Sequence, residues 1–408
     1  MLPPPVINEQ ASEQYKMPEV INLQPLYYAI ALVALTAGIL VFGEVMLYSA
    51  SFGQAGLKYF RNQAMWGIIG TVAAITALAA GYRKISASSL LWLGLCFIGL
   101  LVAGLFFEPV KGASRWVRLG PVSIQPSEFA KVAVIIFTAN YCAKNYRSFF
   151  KPWHRCGLLP LGAGILAVCG AILYGHDLGT TVLVAISAFL VMLVAGLSKW
   201  YLIVPGATGL AAFFYIRACD AMRWGRITSF LRPEEMQTGK GYQLWTSLIA
   251  LGSGDWFGVG FMASRMKERY LPEAHTDFIC SVIGEELGYV SLLCLIAAYV
   301  MWGFFAIRIA LRASGRLGTL LGFGLTMMFC LQASINLAVV SGSMPTKGMP
   351  APFLSYGGSS LLSALIATGI IVSIAVDSTF PGYELLVKRK IRSIFSFRKK
   401  AENNETSE

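Results

Sequence analysis

The residues best suited to chemistry gather in three polar segments set against apolar runs. The first is Leu271 to Ile279, where Glu273, His275, Thr276 and Asp277 crowd against the start of a hydrophobic span. A carboxylate at such a boundary is partly desolvated, a condition that suits it to general-base work. If the span continues as a helix, Asp277, Ser281 and Glu285 are spaced by four and share a face. The plainer reading makes Thr276 or Asp277 the N-cap of that helix.

The second segment runs Lys111-Gly112-Ala113-Ser114-Arg115-Trp116-Val117 and continues in Gln125-Pro126-Ser127-Glu128-Phe129-Ala130-Lys131. Pro126 suits a first helical turn, and Glu128 and Lys131, three apart, can pair on one side of the helix. Arg115 has the planar fork that grips phosphate. A structural ion pair at a helix end is the competing reading of Glu128 and Lys131. The third segment, Pro345 to Ser360, holds three prolines and three glycines and cannot be a regular helix. Irregular backbone at membrane depth survives only where protein or a water-filled cavity satisfies it. Its run Gly357-Gly358-Ser359-Ser360, just before an apolar stretch, offers backbone N–H groups to an anion. A re-entrant turn without a ligand is the alternative.

The elements that must position these segments follow from composition. Hydrophobic residues make up 56% of the 408 and charged residues 13%, where soluble domains carry roughly 25% charged residues. Apolar runs long enough to cross a bilayer recur along the chain. The fold class is therefore an all-α polytopic membrane protein of about ten helices. They are expected near Leu26 to Tyr48, Ala64 to Tyr82, Ser88 to Phe107, Pro126 to Ala143, Leu158 to Tyr174, Leu178 to Leu197, Trp200 to Ile216, Phe278 to Ala306, Leu317 to Val340 and Ser360 to Ile374. One long loop, about residues 217–277, separates helices seven and eight. Residues 1–25 form an N-terminal tail, 26–377 the membrane domain and 378–408 a basic C-terminal tail.

Lysine and arginine in the short connections set the orientation. Arg83, Lys84, Lys144, Arg147, Arg308, Arg312 and Arg316 fall on the side of both termini, which is expected to be cytoplasmic. All three polar segments then share the outer face. There they offer basic anion grips, a carboxylate base and a broken-backbone pocket to a substrate with phosphate at the bilayer surface and a long apolar tail. The net charge of +12 is spread between spans rather than gathered beside stacking aromatics, so nucleic acid is not expected as a partner. The basic tail, Lys388 to Lys400, suits anionic lipid headgroups or simply holds the tail inside. Eight cysteines show no metal-ligand spacing, and Cys219 with Cys280 is the one pair placed to form a disulfide. No cleaved signal peptide is evident in Met1 to Gln24.

From about Leu26 to Ile374 the chain resembles the SEDS family of bacterial cell-wall glycosyltransferases, the FtsW/RodA/SpoVE group. The matching motifs are Tyr48-Ser49-Ala50-Ser51, Gly112 to Trp116, Gln125 to Lys131, Asp177-Leu178-Gly179-Thr180, Leu271 to Ile279 and Ser355 to Ser360. Leu119-Gly120-Pro121 and Pro345-Thr346-Lys347-Gly348 look closer to the division branch than to the elongation branch. Departures from the usual pattern are His176, Ala351 and Asp255, the last placing a second acid in the long loop.

The resemblance implies polymerisation of lipid II, a disaccharide-pentapeptide on undecaprenyl pyrophosphate, at the outer face of the inner membrane of a bacterium, during septal division. Asp277 matches the family's essential loop aspartate and is the expected catalytic base. Arg115, Lys131, Lys347, Ser355 and Ser359 are the expected pyrophosphate-binding residues, with Glu128, His275 and Glu285 in support. A magnesium or manganese ion could share the charge, although no metal site is readable. The implied partners are a class B penicillin-binding protein, other division proteins of the membrane, and the bilayer itself. A lipid II flippase and a non-catalytic division scaffold are the rival readings.

Overall fold

The computed structural model describes residues 22–108, 114–120, 122–147, 157–219, 221–231 and 239–384. The basic C-terminal tail, most of the N-terminal tail, and Lys111 to Ala113 lie outside them.

In chain order the helices are α1 (Gln24–Ala55), α2 (Lys58–Ala80), α3 (Tyr82–Ala87), α4 (Ser89–Phe106), α5 (Pro126–Asn145), α6 (Leu158–Tyr174), α7 (Leu178–Val194), α8 (Ile203–Cys219), α9 (Ala221–Leu231), α10 (Tyr242–Ser253), α11 (Met266–Arg269), α12 (Ile279–Leu311), α13 (Arg316–Val340) and α14 (Gly358–Thr379). A short hairpin precedes α5, with β1 (Val117–Leu119) antiparallel to β2 (Val122–Ile124) and Val117 opposite Ile124. Gly120, at φ 63°, makes its turn.

Among the described residues, α1, α2, α4, α12, α13, α14 and the run Lys199–Cys219 are long and apolar enough to cross a membrane. The shorter apolar helices α6 and α7 and the charged α5 complete ten main helices at the expected places. The chain is an all-α polytopic membrane protein. Its outward surfaces are apolar, as at Ile68, Leu90, Phe106 and Leu159, all exposed to where lipid would lie. α5 and α14 form the interior, and small residues admit close helix contact there: Gly369 lies against the Ala74 backbone. Trp302 of α12 stacks on Phe329 of α13 at 3.8 Å and donates its indole N–H to Thr36 of α1 at 2.9 Å, pinning three helices together.

Two features depart from the sequence reading. The segment 217–277 is not simply a loop: α8 runs to Cys219, and α9, α10 and α11 follow. α12 is not one helix, since Gly288 breaks it with φ 76° and ψ −177°. The break frees main-chain groups that a neighbouring segment satisfies. Val259 and Gly260 donate to the carbonyls of Glu285 and Glu286, and Tyr289 and Val290 donate to those of Asp255 and Trp256. Asp255 is thus part of a patch over the broken helix. The proposed Cys219–Cys280 disulfide does not form: both thiols are free, Cys219 exposed and Cys280 buried in α12 against Asn336.

Candidate functional site

The site is built where α5 and α7 begin, where α12 begins, and where the irregular chain between α13 and α14 folds over them. Pro126 opens α5 and places Glu128 in the first turn and Lys131 in the next. Both side chains are buried, and Lys131 Nζ lies 2.7 Å from Glu128 Oε2 and 2.7 Å from Gln332 Oε1 of α13. The predicted pair exists, and it points into protein.

Asp177 caps α7. Its carboxylate accepts the Thr180 backbone N–H at 3.1 Å and the Thr180 hydroxyl at 2.8 Å. Arg115 approaches the same carboxylate at 3.4 Å, so the hairpin loop is tied to this helix start. Lys347 lies against Gly179 so closely that a Cβ on the glycine would take the place of the lysine's ammonium end. Burial pushes the Lys347 ammonium down to about 8; Asp177 opposes that shift, and Lys131 and Arg115 add to it. Three cations, Arg115, Lys131 and Lys347, therefore face one another across Asp177 and Glu128. These three cations, two of them beside carboxylates, put several positive groups at one place, which suits an anion.

Asp277 reaches this cluster through the loop that carries Lys347. A Cβ on Gly348 would come 2.7 Å from Asp277 Oδ2, so the carboxylate lies against the residue next to Lys347. The loop is irregular from Ser343 to Gly357, and side chains from the helices satisfy its main chain. Asn336 donates to Met349 at 2.7 Å and to the main-chain oxygen of Asp277 at 2.9 Å. Gln332 donates to Pro350 at 2.9 Å, Tyr299 to Pro352 at 2.8 Å and Gln63 to Ser355 at 3.0 Å. This is the condition on which non-helical backbone persists at membrane depth.

The remaining predicted residues divide by their partners. His275 stacks on Tyr59 at 4.5 Å, with Tyr356 edge-on to Tyr59, and its carbonyl accepts the Tyr356 N–H at 3.0 Å. Ser355 and Ser359 are buried, and each hydroxyl accepts a backbone N–H, from Ala351 at 2.8 Å and from Gln125 at 3.0 Å. Gly357 gives its N–H to Gln63, so that group is also engaged. Glu285 is engaged by the segment before α11. It accepts the Ser264 hydroxyl and the backbone N–H of Arg265 at 2.9 Å. The shared face expected for Asp277, Ser281 and Glu285 is absent because α12 starts at Ile279, leaving Asp277 in the preceding turn. Neither Thr276 nor Asp277 caps the helix, whose N-cap is Phe278. Among the described residues no group of three or more His, Cys, Asp or Glu is placed to hold a metal ion.

Sequence reasoning missed the amides Gln63, Gln332 and Asn336. The available signal was polar residues within apolar helices, with Gln332 and Asn336 four apart on α13. It also missed a buried pair beside the C-terminal end of α1. Lys267 Nζ lies 2.5 Å from Glu286 Oε1, and the Ser49 hydroxyl donates to Glu286 Oε2 at 2.7 Å. A cavity of about 100 Å³ adjoins them, lined by Ser49, Phe52, Met262, Lys267 and Glu268 among others.

The sequence pattern of the cell cycle protein family that comprises FtsW, RodA and SpoVE matches residues 26–379. The chain belongs to this family. It is 36% identical to a relative from Trichlorobacter lovleyi, named a probable peptidoglycan glycosyltransferase FtsW, across 85% of this chain and 93% of that one. A relative of the same name from Dichelobacter nodosus is 35% identical, across 91% of this chain and 96% of that one. In three dimensions the FtsW/RodA/SpoVE chain is similar to a chain from work on coordination of polymerization and crosslinking by a peptidoglycan synthase complex. The TM-score is 0.71 at 26% identity, covering 85% of this chain and 97% of that one. The rod shape determining protein RodA of Thermus thermophilus superposes with a TM-score of 0.64 at 25% identity, covering 88% and 98% of the two chains.

Proposed function

We propose that this chain is a peptidoglycan glycosyltransferase that polymerises lipid II into glycan strands during septal cell division. The observation that carries this reading is the Asp277 carboxylate set against Gly348, next to Lys347 and its companions Arg115 and Lys131. A base thus lies against the loop that carries one cation of the anion site.

In this reading the 4-hydroxyl of the acceptor sugar gives its proton to Asp277 as its oxygen attacks the anomeric carbon of the donor. The bond from that carbon to the pyrophosphate oxygen breaks, and the undecaprenyl pyrophosphate leaves with the bonding pair. Direct displacement inverts the α-linked donor to a β-linked product. The charge that develops on the leaving group is met by Lys347, Arg115 and Lys131, with Lys131 held in place by Glu128 and Gln332. Fixed charges in a water-poor site act more strongly than in solvent and need no rearrangement during the reaction.

The names of the relatives and the peptidoglycan synthase complex support assigning the chain to the inner membrane of a bacterium, at the division septum, and the lysines and arginines of the short connections support both termini in the cytoplasm. They also support a class B penicillin-binding protein as the partner that crosslinks nascent strands, within a larger set of division proteins. The test is lipid II polymerisation by the purified chain together with its transpeptidase partner, read as a ladder of glycan strands on a gel. Strands are expected. The break at Gly288 is the feature that favours a lipid transporter, but the 255–260 segment closes it. Vesicles that translocate labelled lipid II while making no polymer would replace the enzyme reading with transport, and neither product nor translocation would leave a scaffold.

A further inference from the structure

At the end of α12 away from Asp277, two arginines one turn apart have no acidic partner among the described residues. Arg308 lies 20 residues past Gly288, about 30 Å at a rise of roughly 1.5 Å per residue. That distance is about the hydrocarbon thickness of a bilayer, so Arg308 and Arg312 stand at headgroup level on the opposite membrane face.

Aromatic rings fix both guanidinium groups. Arg308 sits 5.3 Å from the Phe304 ring and 5.8 Å from that of Tyr28, and Arg312 sits 5.0 Å from Tyr28. Tyr28 thus holds the two cations on one side of the α1–α12 seam. Arg312 donates its Nε and one terminal nitrogen to Gln24 Oε1, at 3.1 and 2.6 Å. Arg308 makes no hydrogen bond to a described residue, and its buried Nε–H is without a partner. A buried charged donor left unpaired is costly, which is the mark of a site that a ligand completes. Around the pair, Tyr27, Met301, Phe304 and Leu311 present apolar surface to the lipid region.

We propose that the seam between the first turns of α1 and the last turns of α12 binds the phosphate of an anionic phospholipid, with its acyl chains against Met301 and Phe304. The guanidinium of Arg308 supplies a charged fork that no hydrogen bond to a described residue occupies, and Arg312 offers its remaining nitrogen beside it. The two positive charges favour a net-negative headgroup over a zwitterionic one, whose own cation they would repel. The phosphate is the element of recognition, and the apolar margin selects a lipid over free phosphate.

The test uses the full chain in nanodiscs of equal parts phosphatidylglycerol and phosphatidylcholine, extracted into mild detergent, with retained lipid counted by native mass spectrometry. The wild type should keep phosphatidylglycerol in several-fold excess over phosphatidylcholine. The double variant Arg308→Gln/Arg312→Gln should lose that excess, while Lys144→Gln, a change at another exposed basic position, should keep it. A second measurement needs no variant: added phosphatidylglycerol should raise the thermal midpoint of the delipidated wild type more than phosphatidylcholine does, and inorganic phosphate should not substitute. Equal retention of the two lipids, equal loss in all variants, or an equal thermal response to the two lipids would overturn the proposal. So would a site filled by the N-terminal tail, seen as an excess that emerges only when Glu9, Glu13 and Glu19 are changed to Gln in the full chain.

Discussion

The side-chain amide of Asn336 donates at 2.9 Å to the main-chain oxygen of Asp277 and at 2.7 Å to that of Met349, so one residue of α13 sets the register between the proposed base and the loop that carries Lys347. Neither hydrogen bond touches a reacting atom. Their effect is geometric, and a displacement of the order of 1 Å at the chemistry can cost ~100-fold in rate. Asn336→Ala should lower kcat by 10- to 100-fold with a smaller change in KM, and destabilise the protein by about 2–4 kcal/mol because two buried carbonyls lose their donor. Steady-state kinetics on lipid II and a thermal melt in detergent check both halves. A variant that melts early yet keeps its kcat would show that Asn336 serves stability alone.

Gly179 gives access to Lys347 without altering any charge. A Cβ there would occupy the space of the lysine's ammonium end, a flexible group that must then move. Gly179→Ala should leave the fold intact and cut polymerisation by roughly 10-fold, since displacing an electrostatic group forfeits part of the about 2.7–4 kcal/mol that its removal costs. Glycan yield against lipid II concentration is the readout.

The Lys347 ammonium, held down to about 8 by burial, gives a pH signature. Below that value it is protonated and can meet the leaving pyrophosphate; above it the charge is lost. Activity should fall on the alkaline side with an inflection near 8. Lys347→Arg, whose guanidinium stays charged, should retain partial activity and lose that inflection. Stability moves the opposite way. The unfolded lysine, with its ordinary value of 10.5, binds more protons than the folded one between 8 and 10.5, so this residue's penalty on folding shrinks as pH rises through that window. A pH series of rates and melts tests the two signs together.

The buried pair of Lys267 and Glu286 answers to a different rule. Removing one partner strands the other charge, and such truncations cost about 3–5 kcal/mol. Lys267→Met should therefore destabilise strongly, and Lys267→Met/Glu286→Leu should recover much of the loss. A double-mutant cycle on thermal midpoints measures the coupling. Additive losses would mean that the pair is not an energetic unit.

The helices were legible because lipid demands apolar length, which composition displays directly. Their ends were less so: α1 continues to Ala55 rather than Tyr48, and α2 begins at Lys58 rather than Ala64, because polar residues at the membrane boundary still propagate a helix. The Glu128–Lys131 pair followed from a spacing of three, and the helix starting at Pro126 from proline's fixed φ. The Gly288 break could not be read, since glycine is common inside membrane helices and the patch that allows it comes from residues about 30 positions earlier. The grouping of Arg115, Lys131 and Lys347 around Asp177 was anticipated only as a shared membrane face; the contact itself depends on tertiary packing. Glu285 was misplaced because a helical spacing of four was extended two residues before the helix begins.

The central claim is that the Asp277 carboxylate is the base for glycan polymerisation. The most direct measurement is the yield of glycan strands from lipid II by purified Asp277→Asn with its transpeptidase partner, alongside a thermal melt that establishes folding. Asparagine keeps the shape and the main-chain contact with Asn336 but cannot take a proton. The variant should fold like the wild type and lose activity by ~100- to 10,000-fold, the usual contribution of a positioned general base. Undiminished strands from a folded Asp277→Asn protein would contradict the account.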